Sequence, residues 1–279
     1  MSPITADRVA AEIRHLPALP ALVLELLNSI DDEEFNADAL AQKLGRDQAL
    51  VARLLRVANS PFYGLQEKIC TVRQSIVVLG SANVRMLVMA AAMIEQFPPH
   101  VCKNLDLNLF WRHAIGVACG ARLLAVCGGL NAEIAFVCGL LHDIGKLVLA
   151  IRFPGDYARV MKFGAQHGLC MIEAEHQVLG VDHAEVGAAL AGRWKFPEPI
   201  LQALADHHLP DATRMGPFAA VVHIADELVH ALDAGRTGDD LARLKADGIW
   251  KQLGMDWNDM QKCFAEIEAR YEKSVSLIG

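Results

Sequence analysis

Apolar residues recur at three- and four-residue spacing through most of the chain, and no stretch alternates apolar and polar positions with period two. The pattern predicts an all-α fold. A first helix starts near Ala6 and stops at Leu16-Pro17-Ala18-Leu19-Pro20, where two prolines forbid a continuous helix and enforce an extended entry. Leu22 to Ile30 resumes the pattern, Asp31-Asp32 follows as a turn, and Asn36 or Asp38 caps a short element from Ala39 to Leu44. Asp47 opens Gln48 to Ala58, with Leu50, Leu54, Val57 and Ala58 along one face. After a loop from Asn59 to Gly64, Thr71 to Leu79 and Ala82 to Phe97 give two more helices, closed by Pro98-Pro99.

The second half begins with Leu107 to Leu124. Ala132 to Ile151 reads as one helix, apolar nearly all the way round and therefore buried. Tyr157 to His167 and Met171 to Leu179 follow, and Asp182 caps Ala184 to Trp194. Pro199 sits in the first turn of a helix that Pro210 stops after His208. A further helix runs from Pro217 to Leu232, and Gly235-Arg236-Thr237-Gly238 reads as a surface linker before C-terminal helices within Asp239 to Tyr271. These signals divide the chain into an N-terminal helical lobe (1–105), a second helical lobe (106–232) and a helical extension (233–279).

Composition narrows the class. The 279 residues are 53% hydrophobic and 21% charged, as in an ordinary globular protein, with a formal net charge of −7. A mildly acidic chain has no global field drawing it to phosphate backbones. The seven cysteines are scattered without a C-x-x-C pair, in settings such as Ala-Cys-Gly, and read as reduced core residues of a cytosolic protein. Met1 to Ala11 already contains Asp7 and Arg8, unlike a signal peptide, and the longest apolar run, Met86 to Ile94, is about half of a membrane span. The expectation is a soluble, cytoplasmic protein with no membrane partner.

The strongest chemical signal is Gly139-Leu140-Leu141-His142-Asp143-Ile144-Gly145-Lys146-Leu147. An aspartate inside a buried helix is costly unless its charge is compensated. Lys146, three positions on, offers one answer; a cation bound jointly by His142 and Asp143 offers another. Further ligand types lie in or at the ends of other helical segments: His113, His183, the pair His207-His208, and Asp226. Five imidazoles and two carboxylates suit a two-metal oxygen/nitrogen site of the kind that polarises phosphoryl oxygens and activates water. His223 and His230 share a helical face with Asp226, and either replaces an assigned ligand or orients one.

The order H…HD…H…HH…D resembles the HD superfamily of metal-dependent phosphohydrolases, including its HD-GYP cyclic-dinucleotide phosphodiesterases. The resemblance implies metal binding by His113, His142, Asp143, His183, His207, His208 and Asp226. It implies divalent ions, up to two, with Fe, Mn, Mg and Ni not distinguished. Asp143 and Lys146 carry the catalytic roles it implies, with Lys146 near a substrate phosphate. Two positions depart from the HD-GYP pattern: Leu209-Pro210-Asp211 follows the histidine pair with no Gly-Tyr-Pro anywhere, and Leu109 stands where some of those proteins carry a glutamate for a third metal.

The first half is similar to the HDOD domain, through Leu16-Pro17-Ala18-Leu19-Pro20, Arg53-Leu54-Leu55-Arg56-Val57-Ala58-Asn59-Ser60-Pro61-Phe62-Tyr63 and Ser75-Ile76-Val77-Val78-Leu79-Gly80. Asp182-His183-Ala184-Glu185-Val186-Gly187, Trp194 and Pro197 extend the match to about His208. The resemblance implies a two-lobed helical fold and a regulatory output role in bacterial signalling, binding a partner protein or a phosphorylated small molecule. Its alternative is a phosphohydrolase using metal-activated water. The segment Asp38 to Ser60 also reads like a helix-turn-helix, with Lys43, Arg46, Arg53 and Arg56 against Asp38 and Asp47. That charge permits DNA contact without demanding it, and bundle packing accounts for the same residues. Dimerisation is left open.

Overall fold

The computed structural model describes residues 6–16, 18–19, 21–28, 41–42, 44, 48–59, 68–97, 105–209, 214–234 and 248–275. The prolines at 17 and 20, the Asn36 or Asp38 cap, most of the 59–64 loop and the 235–238 linker lie outside them. Among the described residues every regular element is helical. In the first half these are α1 (Ala6–Arg14), α2 (Ala21–Asn28), α3 (Gln48–Ala58), α4 (Val72–Leu79) and α5 (Ser81–Gln96). The middle of the chain forms α6 (Leu107–Cys127), α7 (Ala132–Leu141), α8 (Ile144–Arg152), α9 (Pro154–His167) and α10 (Met171–Leu179). Then come α11 (His183–Arg193), α12 (Glu198–Asp206), α13 (Pro217–Ala234), a 3₁₀ turn (Ile249–Leu253) and α14 (Trp257–Val275).

Local chemistry sets several of these ends. The Thr71 hydroxyl accepts from the Gln74 amide at the start of α4. Asp182 accepts from the Glu185 amide while the Glu185 side chain returns to the Asp182 amide, a reciprocal capping box. Pro199 occupies the first turn of α12, where its missing N–H costs nothing.

The expectation of one helix from Ala132 to Ile151 is corrected: the chain breaks at His142-Asp143 into α7 and α8. Asp143 sits at φ −96°, ψ 6°, outside helical geometry. Apolar periodicity continues across the break on both sides, so the sequence pattern carries no mark of it. Two glycines beside the break permit close backbone approach. A Cβ at Gly139 would stand 2.7 Å from Ala118 Cα on α6, and one at Gly145 would stand 2.8 Å from the Gly187 amide on α11. The helices on either side of the break are thereby pressed against α6 and α11.

Helix α6 is the spine, packing on α7, α13 and α14, while α11 packs on α8 and α12. Helix α5 gathers α2, α3 and α4 and also touches α7. A largely buried ion pair joins α5 to α7, Arg85 Nη2 to Glu133 Oε1 at 2.7 Å. Helix α1 meets α11, where Arg193 donates to the Ile13 carbonyl, and the end of α8, where Arg152 Nε donates to Glu12 at 2.7 Å. We expect Arg85→Ala to lower stability by about 3 kcal/mol in urea denaturation, because Glu133 is left as a largely buried charge without its guanidinium. No loss there would reduce the pair to packing alone.

Two stretches, 107–127 and 132–152, are long and apolar enough by length and composition to cross a membrane, which the uninterrupted-run criterion missed. In this fold they are core: Ala114, Val117, Ala118, Leu140, Leu141 and Val148 are almost fully covered by neighbouring helices. The cysteines also differ from expectation. Cys127 at the end of α6 and Cys263 on α14 are bonded as a disulfide, whereas Cys70, Cys119, Cys138 and Cys170 are free thiols. Helix α14 folds back along α6 and brings together two residues 136 positions apart, a pairing that scattered spacing does not reveal.

Candidate metal centre

All seven of the ligand types singled out in the sequence meet in one buried cluster. His113 comes from α6, His142 caps the end of α7, Asp143 fills the break, and His183 is the first residue of α11. His207 and His208 follow α12, and Asp226 comes from the middle of α13. Donor atoms of Asp143, His183, His207 and His208 lie within 4.8 Å of one another, as do those of His113, His142 and Asp143. Asp143 faces both groups: Oδ1 is 3.3 Å from His183 Nε2 and Oδ2 is 3.4 Å from His142 Nε2. Asp226 Oδ1 lies 2.9 Å from His113 Nε2 and 3.6 Å from His142 Nε2.

The rings are aimed from behind. His142 Nδ1 donates to the Gly139 carbonyl at 2.7 Å, and His207 Nδ1 donates to the Leu204 carbonyl at 2.8 Å. His183 Nδ1 donates to Glu175 Oε2 at 2.6 Å, and the same oxygen accepts the His183 amide at 2.9 Å. Each bond fixes the proton on Nδ1 and presents the Nε2 lone pair to the centre, the arrangement seen behind metal-bound histidines. The atoms facing the centre make no hydrogen bond at all: Nε2 of His113, His142, His183 and His207, Asp143 Oδ1 and Asp226 Oδ1 are buried and unpartnered. Six such atoms converging in one place run against the general rule that buried polar groups are satisfied. Their identity and spacing fit a divalent cation bound by nitrogen and oxygen donors.

Electrostatics agree with that donor set. Burial alone would raise both carboxyls, yet the surrounding His142, Lys146, His183 and His113 hold Asp143 and Asp226 well below the usual carboxylate range. Burial opposes charge on His142, but Asp143 and Asp226 outweigh it and push that imidazole up to about 10. His207 is driven well below its ordinary value by burial and by the imidazoles around it; His208 falls to about 3, chiefly through burial. A proton on His142 thus helps to neutralise two buried carboxylates, a task that a divalent cation fulfils with neutral imidazoles as ligands.

Lys146 Nζ donates to Asp143 Oδ2 at 2.6 Å, so the lysine is presently a partner of the carboxylate. His223 Nδ1 donates to the His207 carbonyl at 2.8 Å and steadies the His207-His208 turn from outside the cluster. His230 instead reaches the cluster itself, 3.3 Å from Asp226 Oδ1. His176 pairs with Asp182 and His167 with its own helix, both away from the centre.

Glu175 was not found by sequence reasoning. The signal available was an acidic residue on the buried face of Met171–Leu179, beside Ala174, and it is fully buried. We expect Glu175→Ala to weaken metal retention about 10- to 100-fold at the group containing His183. Titration of chelated protein with Mn or Co checks it; unchanged affinity would make Glu175 merely structural.

The HDOD domain family model matches residues 16–210. The chain is 27% identical to the crystal structure of a "Putative phosphohydrolase" from Shewanella amazonensis SB2B, covering 97% of this chain and 98% of that one with a TM-score of 0.81. It is 28% identical over 244 residues to an uncharacterized protein of Treponema pallidum (strain Nichols), covering 85% of this chain and 47% of that protein. It is 35% identical over 127 residues to a ribonuclease Y of Thermus thermophilus, covering 46% of this chain and 17% of that enzyme. The chain therefore spans less than half the length of either curated relative.

Proposed function

Because this chain belongs to the HDOD-domain family, we propose that it is a regulatory signalling module that holds divalent metal in its HD cluster and binds a phosphate-bearing small molecule there, passing the response to a protein partner. The observation that carries this reading is the convergence of six buried, unpartnered donor atoms. Asp143, His142, His183, His207, His208, His113 and Asp226 would hold the cations. Metal bound there supplies Lewis acidity toward a phosphoryl oxygen and lowers the pKa of water.

Regulation is favoured over turnover by the enclosure of the centre. His142, Asp143, His183, His207 and Asp226 are all nearly inaccessible, so a phosphate group meets the centre at its exposed His230 edge, which suits binding more than turnover. The second reading is a metal-dependent phosphohydrolase acting on a nucleotide or another phosphate ester. It draws on the Shewanella neighbour's description and on Lys146, which needs only to release Asp143 to meet an incoming phosphate.

Protein purified without chelator or metal-affinity tag should carry about two equivalents of transition metal per chain. Inorganic phosphate should bind the loaded protein and not the chelated one. Release of phosphate or nucleotide from ester substrates would replace the regulatory reading with the hydrolytic one. A chain that holds no metal after incubation with Mn or Fe would sink both.

A further inference from the structure

Helix α13 carries a second group that reaches the cluster, and the HD pattern does not include it. His230 lies one helical turn after Asp226, and its Nε2 stands 3.3 Å from Asp226 Oδ1. Its ring is 4.4 Å from that of His113, centroid to centroid. His113, Asp226 and His230 donors all lie within 4.8 Å of one another. Asp226 Oδ1 is thus approached by three imidazole nitrogens, from His113, His230 and His142, at 2.9, 3.3 and 3.6 Å. None of the three makes a hydrogen bond to it. Two donors each about 2.1 Å from a shared cation stand roughly 3.0–3.4 Å apart at right-angled or tetrahedral geometry. The 3.3 Å between His230 Nε2 and Asp226 Oδ1 falls in that range, whereas the 2.9 Å of His113 is a hydrogen-bond distance.

His230 differs from the other donors in exposure. Its side chain is 61% accessible, against 12% for His113 and 5% for Asp226. Withdrawing it into water breaks no packed core, whereas withdrawing His142 or His113 would.

We propose that His230 is an additional ligand of the subsite formed by His113, His142, Asp143 and Asp226, placed on its solvent side, and that an incoming oxyanion displaces it. The inference rests on the two-metal reading and adds a shutter to it. With His230 engaged, the exposed coordination position is filled by the protein. With His230 turned out, a phosphate oxygen takes the same position. The chemistry recognised is a phosphate group, whatever molecule bears it.

The test compares wild type, His230→Ala and His113→Ala, each loaded with Co(II), by elemental analysis, visible spectrum and calorimetric titration with inorganic phosphate. Wild type is expected to hold two equivalents, and His113→Ala to lose one. His230→Ala should keep both but bind one at least about tenfold more weakly, with a changed Co(II) spectrum and tighter phosphate binding. Two equivalents with unaltered affinity and spectrum in His230→Ala would overturn the ligand assignment and leave the two-metal reading standing. Phosphate binding no tighter than in wild type would overturn the displacement. A wild type without metal would overturn the two-metal reading itself, and this inference with it.

Discussion

Asp143→Ala is expected to take the metal content from about two equivalents per chain to nearly none. The reason is the double position of its carboxylate. Oδ1 faces His183 and Oδ2 faces His142, so one side chain joins the group of His183, His207 and His208 to that of His113 and His142. Removing His183 or His113 should cost one equivalent; removing Asp143 should cost both. A second consequence concerns Lys146, whose ammonium loses its 2.6 Å partner. Breaking a fully buried pair costs about 3–5 kcal/mol. The Lys146 side chain is 16% accessible, so its ammonium can turn toward water and the loss should fall near the bottom of that range. Elemental analysis of both proteins, prepared without chelator, decides the first point, and urea unfolding of the chelated forms decides the second. A mutant with the wild-type metal content would show that the cations, if bound, sit elsewhere.

Much of this centre could be read in the chain because five of its seven donors, His142, Asp143, His183, His207 and His208, stand at helix ends. Asp182 announces the start of α11 and so places His183 at its first turn, and Pro199 starts the helix that delivers His207 and His208. The all-α class followed from periodicity alone, because helices that pack on one another repeat an apolar stripe. The break at His142-Asp143 escaped, since apolar residues run on through it and only the tertiary placement of Asp143 between two histidines explains its geometry. Glu175 escaped because a carboxylate behind a histidine is defined by contact across two helices. His230 was visible as a spacing from Asp226, and coordinates were needed to separate it from His223. These two histidines share a helix, yet one touches the carboxylate and the other a carbonyl behind the ring of His207.

The second large effect is expected from a methyl group. Gly145→Ala should destabilise the protein and weaken metal binding together. An added Cβ there would stand 2.8 Å from the Gly187 amide and press on the His183 carbonyl. Both neighbours are backbone, so no side chain can swing aside, and α8 must move away from α11. Overpacking of this kind costs about 1–3 kcal/mol and at times more. The displaced element is the one that begins with His183, whose Nε2 must stay near Asp143 Oδ1, now 3.3 Å away. Gly192→Ala on the same helix is the control. Its Cβ would meet only Leu201 Cδ2 at 3.6 Å, an ordinary contact, and alanine is the better helix former by about 1 kcal/mol. Urea midpoints and metal content measured side by side should therefore diverge, with Gly145→Ala falling in both and Gly192→Ala in neither. If Gly145→Ala matched the control, the close seating of α8 on α11 would not be what holds His183 against Asp143.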